Sequence, residues 1–200
     1  IKNFIGITEY LALLSNNKSK EVMLIYNNKL AVSPISTHIP LKYVSKSLSK
    51  DKIVYNVQTI SKFYKNKLNK KKIKFGITGL NPHCESKNNP SEEKKIIIPA
   101  IKNLKRKGID IKGPIAADTL FMKNIRDNYD VIIGMYHDQV LTPMKTIFEF
   151  SAINITLGLD FLRVSPDHGP NNKDLGKNIS NPESLIQSLM FLDKLNAKKN

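Results

Sequence analysis

The chain has 200 residues, enough for one large domain or two small ones with a sizeable core. It carries 32 Lys and Arg against 17 Asp and Glu, a formal charge of +15, and a single cysteine, Cys84, which excludes an internal disulfide and fits a reducing cytoplasm. No run approaches about 18 consecutive apolar residues, so no membrane span is expected, and the first residues lack the basic-then-apolar pattern of a signal peptide.

The chain opens at Ile1, not Met, directly in apolar-patterned sequence, and is expected to lack an N-terminal part or to be a fragment. Thr8-Glu9 opens a short helix from Glu9 to Leu14, and Asn16 to Lys20 reads as a polar turn. Glu21 to Tyr26 is a strand, Asn27-Asn28 a hairpin turn in which Asn tolerates positive φ, and Leu30 to Ile35 a second strand running into Ser36-Thr37-His38. Pro40 starts a helix to about Leu48. Asp51 opens a longer one to about Leu68, with Ile53, Val57, Ile60, Tyr64 and Leu68 on one stripe.

Lys74 to Leu80 is a strand closing on Asn81-Pro82-His83. Ser86 to Pro90 is a polar loop, and Ser91 caps a helix with Glu92 and Glu93 in its first turn and Gly108 as its stop. Ile109 to Ile111 is a short strand, Gly113-Pro114 turns the chain, and Asp118-Thr119 caps a helical piece, Leu120 to Ile125. Val131 to Met135 is an unbroken apolar run, as a strand covered on both faces reads, and it ends in Tyr136-His137-Asp138-Gln139. Val140 to Ile147 is a helix and Ala152 to Leu157 a strand. Gly158 to Gly169 is irregular and Asn171 to Ser180 a polar loop. A last helix opens at Asn181-Pro182-Glu183 with Leu185, Leu189, Leu192 and Leu195 inward. Strands alternating with helices indicate an α/β fold with a largely parallel sheet and flanking helices.

The positive charge admits two readings, nucleic-acid binding or a solvated surface in a composition rich in Lys, Asn and Ile. The basic residues (Lys18, Lys20, Lys65, Lys67, Lys70 to Lys72, Lys105, Arg106, Lys107) are scattered and are not interleaved with aromatics, which favours the solvated surface.

Reactive groups in open α/β sheets lie just past the carboxyl ends of strands. Three histidines, His38, His83 and His137, follow such ends. Three imidazoles and an open position make a catalytic metal site, and three unrelated polar histidines are the alternative. Asp118 and Asp138 are candidate acid or base groups, with helix capping as the other role for Asp118. Lys145, Asn154 and Arg163 suit an anionic substrate, or are ordinary surface groups. Neither a Gly-x-Gly-x-x-Gly fingerprint nor a P-loop is present, so the residues alone show no dinucleotide or triphosphate cradle.

Five motifs in order carry a resemblance over essentially the whole chain. They are Gly79-Leu80-Asn81-Pro82-His83; Gly113-Pro114 with Ala117-Asp118-Thr119-Leu120-Phe121; Met135-Tyr136-His137-Asp138-Gln139; Asn154-Ile155-Thr156-Leu157-Gly158-Leu159 through Arg163; and Asp167-His168-Gly169. Together they resemble the 4-hydroxythreonine-4-phosphate dehydrogenase family of pyridoxal phosphate biosynthesis. The resemblance implies an isocitrate/isopropylmalate dehydrogenase-like fold, two-domain in the full-length family, of which residues 1–200 are the C-terminal two-thirds. It implies a cytoplasmic homodimer with a shared active site, and neither nucleic acid nor membrane as partner. It implies NAD and a divalent metal (Zn, Mg or Co) as cofactors, with the metal on His38, His83 and His137. Thr8, Lys145, Asn154 and Arg163 would contact substrate, and Asp118 and Asp138 would lie near the metal. The implied reaction oxidises the C3 hydroxyl of 4-phosphohydroxy-L-threonine, followed by loss of CO₂ to give 3-amino-2-oxopropyl phosphate.

The sequence departs from the family pattern at five places. Ile7 stands where a substrate-contacting His is usual, and it cannot replace that residue's hydrogen bond. The stretch Cys84 to Asn89 is not Gly-rich and is one residue shorter, Asp160 replaces a usual Pro and Pro170 a usual Thr, and the family's N-terminal portion is absent. Two alternatives therefore stand beside the main reading. One is a dehydrogenase of a 4-phosphorylated sugar acid (D-threonate or D-erythronate), and the other is a non-catalytic remnant.

Overall fold

The computed structural model describes residues 7–15, 20–84, 91–169 and 171–197. The expected turn over 16–20 (apart from Lys20), the loop over 86–90 and Pro170 lie outside them. Among the described residues, seven strands form one sheet in the order β4-β3-β5-β2-β1-β6-β7. They are β1 (Val22–Tyr26), β2 (Ala31–Ser36), β3 (Lys74–Thr78), β4 (Asp110–Ile115), β5 (Val131–Tyr136), β6 (Ile153–Leu157) and β7 (Arg163–Pro166). The helices are α1 (Ile7–Leu14), α2 (Val44–Ser47), α3 (Lys50–Lys67), α4 (Ile98–Arg106), α5 (Ala117–Leu120), α6 (Lys123–Arg126), α7 (His137–Phe148) and α8 (Glu183–Ala197).

The expected α/β class holds, and the sheet divides into two halves. Strands β4, β3, β5 and β2 run parallel, joined by helical crossovers. Strands β2, β1, β6 and β7 pair antiparallel. The Asn27-Asn28 hairpin creates the second half: Asn27 Oδ1 accepts from Lys29 N at 3.0 Å, and Asn27 N donates to Leu30 O at 3.1 Å. So short a connection can join only antiparallel neighbours.

Burial explains the strand sequences. In β5, Val131, Ile133 and Met135 face a core with α3 and α4, while Ile132 faces a second core with Val140, Leu141 and Met144 of α7. A strand covered on both faces needs no polar alternation. Helix α3 starts one residue before Asp51, because Ser49 accepts from Lys52 N at 3.2 Å and is the cap. Its expected stripe is buried: Ile53, Val57, Ile60 and Tyr64 are all in the first core.

Four expectations are corrected. Gly113-Pro114 does not turn the chain; it lies inside β4, which extends to Ile115 through a cis peptide bond at that step. Asp118 does not cap a helix, since the cap position is Ala116 and Asp118 lies within α5, its Oδ1 accepting from Thr119 N at 2.7 Å. The stretch taken as irregular contains β7, paired with β6 from Thr156↔Arg163 to Ile153↔Pro166. Finally, α8 turns its leucines differently. Ser184 and Ser188 are buried, Leu192 and Leu195 are half-buried, and Leu185 and Leu189 are exposed. The reason is polar: Ser184 Oγ donates to Ala152 O at 2.6 Å and accepts from Asp167 N at 2.8 Å, so the serine edge is the one drawn onto β6 and β7.

Candidate active site

The parallel half of the sheet sets one edge. Because β4, β3, β5 and β2 run in the same direction, their carboxyl ends lie side by side, and each delivers one of the expected groups. Asp118 follows β4, His83 follows β3, His137 and Asp138 follow β5, and His38 follows β2. This is the edge at which open α/β sheets bind ligands.

Two of the three histidines meet. The His38 and His137 rings lie with centroids 5.6 Å apart, over a shallow cavity of about 260 Å³ lined by Thr37, His38, Ile39, Tyr136, His137 and Asp138 among others. His137 Nδ1 lies 2.6 Å from Asp138 Oδ1. A carboxylate on Nδ1 fixes that ring and leaves Nε2 for a ligand. Gly134 lets α7 come this close: a Cβ there would lie 2.3 Å from Val140 Cγ1.

His83 stands apart from that pair, exposed in the one-turn helix Pro82–Cys84. Its turn is held from below. Glu93, only 1% exposed, accepts from Leu80 N and Asn81 N at 2.8 Å each and from Asn81 Nδ2 at 3.0 Å. Glu92 accepts from Asn81 Nδ2 at 2.9 Å and from the Ser45 hydroxyl of α2.

Both acids sit below the usual carboxylate range. The Ser45 and Asn81 hydrogen bonds lower Glu92; burial pushes Glu93 up, and its hydrogen bonds together, those from Asn81 foremost, more than offset it. A depressed folded-state pKa stabilises the fold above the unfolded value, 4.5, and that stability is lost as pH falls through the folded value. Thermal midpoints are therefore expected to drop as pH goes below about 4.5. The drop should be shallower in an E92Q/E93Q double variant, and equal slopes would refute the assignment.

Gln139 joins the two central strand ends, a role that its place in the polar cluster after the Val131–Met135 run does not reveal. Its Oε1 accepts from Met135 N at 2.7 Å and Thr78 Oγ1 at 2.8 Å, and its Nε2 donates to Gly79 O at 2.8 Å. Gln139→Ala leaves these partly buried groups unpaired and should cost about 1–3 kcal/mol in urea unfolding. A loss under about 0.5 kcal/mol would mean that water replaces the amide.

The expected anion contacts gather on the antiparallel half. Asn154 pairs with Ile25 and Thr156 with Met23, residues of the core that α7 covers. Arg163 Nη1 donates to Thr156 Oγ1 and Thr8 Oγ1, each at 3.0 Å. Lys145 of α7 forms an ion pair with Asp167 Oδ2 at 2.9 Å and donates to Asp167 O. Burial raises the Asp167 carboxyl above its ordinary range, while Lys145 and the charges of His137 and His168 pull it back. Asn154 Oδ1 is buried with no hydrogen-bond partner. An orphaned acceptor on β6, the strand paired with the one that carries Arg163, suits a ligand with a hydrogen-bond donor.

A larger cavity of about 610 Å³ lies at the opposite end of the sheet, between the hairpin, the end of α3 and α8. It holds none of the expected catalytic, metal or substrate residues.

The family model described as "Pyridoxal phosphate biosynthetic protein PdxA" matches residues 2–192. This chain belongs to the PdxA family. A 4-hydroxythreonine-4-phosphate dehydrogenase of Sulfurihydrogenibium is 43% identical over 187 residues, covering 93% of this chain and 57% of the relative. One from Bradyrhizobium diazoefficiens is 38% identical over 97% of this chain and 57% of its own length. The solved structure of a 4-hydroxythreonine-4-phosphate dehydrogenase from Klebsiella pneumoniae superposes with a TM-score of 0.79 at 30% identity, over 96% of this chain and 58% of that one. The chain thus spans somewhat more than half the length of the PdxA relatives it matches, and shares their α/β fold.

In PdxA terms the residues fit a divalent cation in part. His38 and His137 offer two facing imidazoles, with Asp138 as the orienting carboxylate. Among the described residues, no three His, Cys, Asp or Glu side chains converge on one point. No helix among them is long and apolar enough to cross a membrane.

Proposed function

We propose that this chain carries the catalytic region of an NAD- and divalent-metal-dependent 4-hydroxythreonine-4-phosphate dehydrogenase, acting in the cytoplasm in pyridoxal 5'-phosphate biosynthesis. The observation that supports it is the run of Asp118, His83, His137 with Asp138, and His38 past adjacent parallel strand ends in a PdxA member. His38, His83 and His137 would hold the cation (Zn, Mg or Co). When bound, the cation would polarise the substrate's C3 hydroxyl, and NAD would accept the hydride.

The chain's own residues do the rest. Lys145 and Arg163 hold the anionic ends of the substrate, and Asn154 Oδ1 accepts from its donor group. Thr8 orients Arg163 through the 3.0 Å hydrogen bond. Asp118 or Asp138 takes the hydroxyl proton. Oxidation gives a ketone β to the carboxylate, which loses CO₂ to leave 3-amino-2-oxopropyl phosphate. A homodimer with a shared site is part of this reading. It is supported by the exposed Leu185, Ile186, Leu189 and Met190 of α8, an apolar face that single soluble chains rarely present.

Incubation with 4-phosphohydroxy-L-threonine, NAD and cobalt should yield NADH, with the yield abolished in His137→Ala. A wild type that neither binds cobalt nor forms NADH would remove the reading. Ile7 favours one alternative: it sits next to Thr8, where the family has a substrate-contacting His, and it is exposed. Faster turnover of D-threonate or D-erythronate 4-phosphate would establish that alternative.

A further inference from the structure

We propose that Glu93 is the positioning residue for His83, its buried carboxylate fixing the turn that carries this imidazole past the end of β3. The inference rests on the reading of His83 as a cation ligand.

The turn needs outside support. His83 and Cys84 both have left-handed backbones, φ 56° and 58°, although neither is glycine. Each such residue is strained and persists only where surrounding contacts over-determine it. Most of these contacts come from one side chain, beside Cys84 N donating to Asn81 O at 3.1 Å and Glu92 taking the Asn81 amide at 2.9 Å. Glu93 sits twelve residues beyond Asn81, in the π-helical turn Glu93–Ile97 that leads into α4. It takes the N–H groups of Leu80 and Asn81 at Oε1, and the Asn81 amide at both oxygens, 3.3 and 3.0 Å.

The chemistry of the acceptor also matters. Among the described residues no cation forms an ion pair with Glu93, so neutral hydrogen-bond donors, not a counter-ion, offset the burial of its charge. All of its partners are donors, and only a carboxylate presents acceptors at both positions. Glutamine has the same shape but turns one of them into a donor facing the Asn81 amide. Asn81 directly precedes Pro82 and His83, so loosening it frees the imidazole.

The test is a cobalt titration of the 200-residue chain and three variants, Glu93→Gln, His83→Ala and the double variant, with circular dichroism to verify folding. Glu93→Ala is the harsher variant, and Glu93→Gln is used because it keeps the volume. Loss of a residue that orients a metal ligand weakens affinity by about 10- to 100-fold. Glu93→Gln should therefore weaken cobalt binding by that factor in the wild-type background and have no further effect in His83→Ala. That non-additivity is the mark of action through His83, and general destabilisation would not produce it.

Binding unchanged within about twofold, or an equal loss in both backgrounds, overturns the proposal. A folded wild type that takes no cobalt removes the metal reading instead. Glu93 is then decided by the His83 ring resonances and by hydrogen exchange at the Leu80 and Asn81 amides. Faster exchange with shifted ring signals in Glu93→Gln supports the positioning role, and unchanged signals refute it.

Discussion

Lys145→Met is expected to destabilise the chain by about 2–3 kcal/mol, and Asp167→Asn to restore most of that loss. Lys145 pairs with Asp167 at 2.9 Å, and Asp167 is 7% exposed. Removing one partner of a buried pair strands the other charge, at a cost of about 3–5 kcal/mol. The Lys145 side chain is 37% exposed, so solvent screens part of the interaction and the lower figure follows. With asparagine at 167 no charge is left to strand, and its amide can still meet nearby polar groups. Urea unfolding of the wild type, both single variants and the double variant gives the coupling directly. Free energies that add within about 0.5 kcal/mol would show that the pair is not coupled.

The second large effect is expected at Gly113. Its φ is +142°, and a Cβ there would lie 2.4 Å from Ile77 O and 2.6 Å from Ile77 Cγ2. The obstruction is backbone of the adjacent strand, which cannot rotate away. Gly113→Ala combines backbone strain of about 1–2 kcal/mol with overpacking of about 1–3 kcal/mol, so a loss of about 2–5 kcal/mol is expected. Gly108→Ala is the control. Its φ is +76°, but nothing lies within 4 Å of the added carbon, so only the strain applies. Equal losses at the two sites would show that β4 yields to the clash by shifting.

Much of this was legible in the sequence, for identifiable reasons. Buried parallel strands read as unbroken apolar runs, so β5 and the polar residues after it could be placed from the chain alone. The order of the strands could not, because β3, β5 and β2 become neighbours only through long crossovers. The positions of His38, His83 and His137 past strand ends were visible; that the first and last of these face each other was not.

Strand β7 escaped notice because Arg-Val-Ser-Pro is half-buried throughout and ends in proline. The leucine spacing of α8 misled for a different reason. Periodicity locates an apolar face without saying what covers it, and here the hydroxyls of Ser184 and Ser188 determine which side meets the sheet. The roles of Glu93 and Gln139 as supports left no local pattern, since Glu93 acts on Leu80 and Asn81 and Gln139 ties the end of β5 to Thr78 and Gly79 of a distant segment.

The carboxylates of Glu92 and Glu93 have a dynamic consequence. Through Asn81 and Ser45 they tie the segment after β3 to α2, which follows His38 by a few residues. Two pieces of backbone from separate crossovers are thereby latched together. Fluctuations that release one must release the other, so both should appear in native-state hydrogen exchange as one cooperative unit with a common opening free energy.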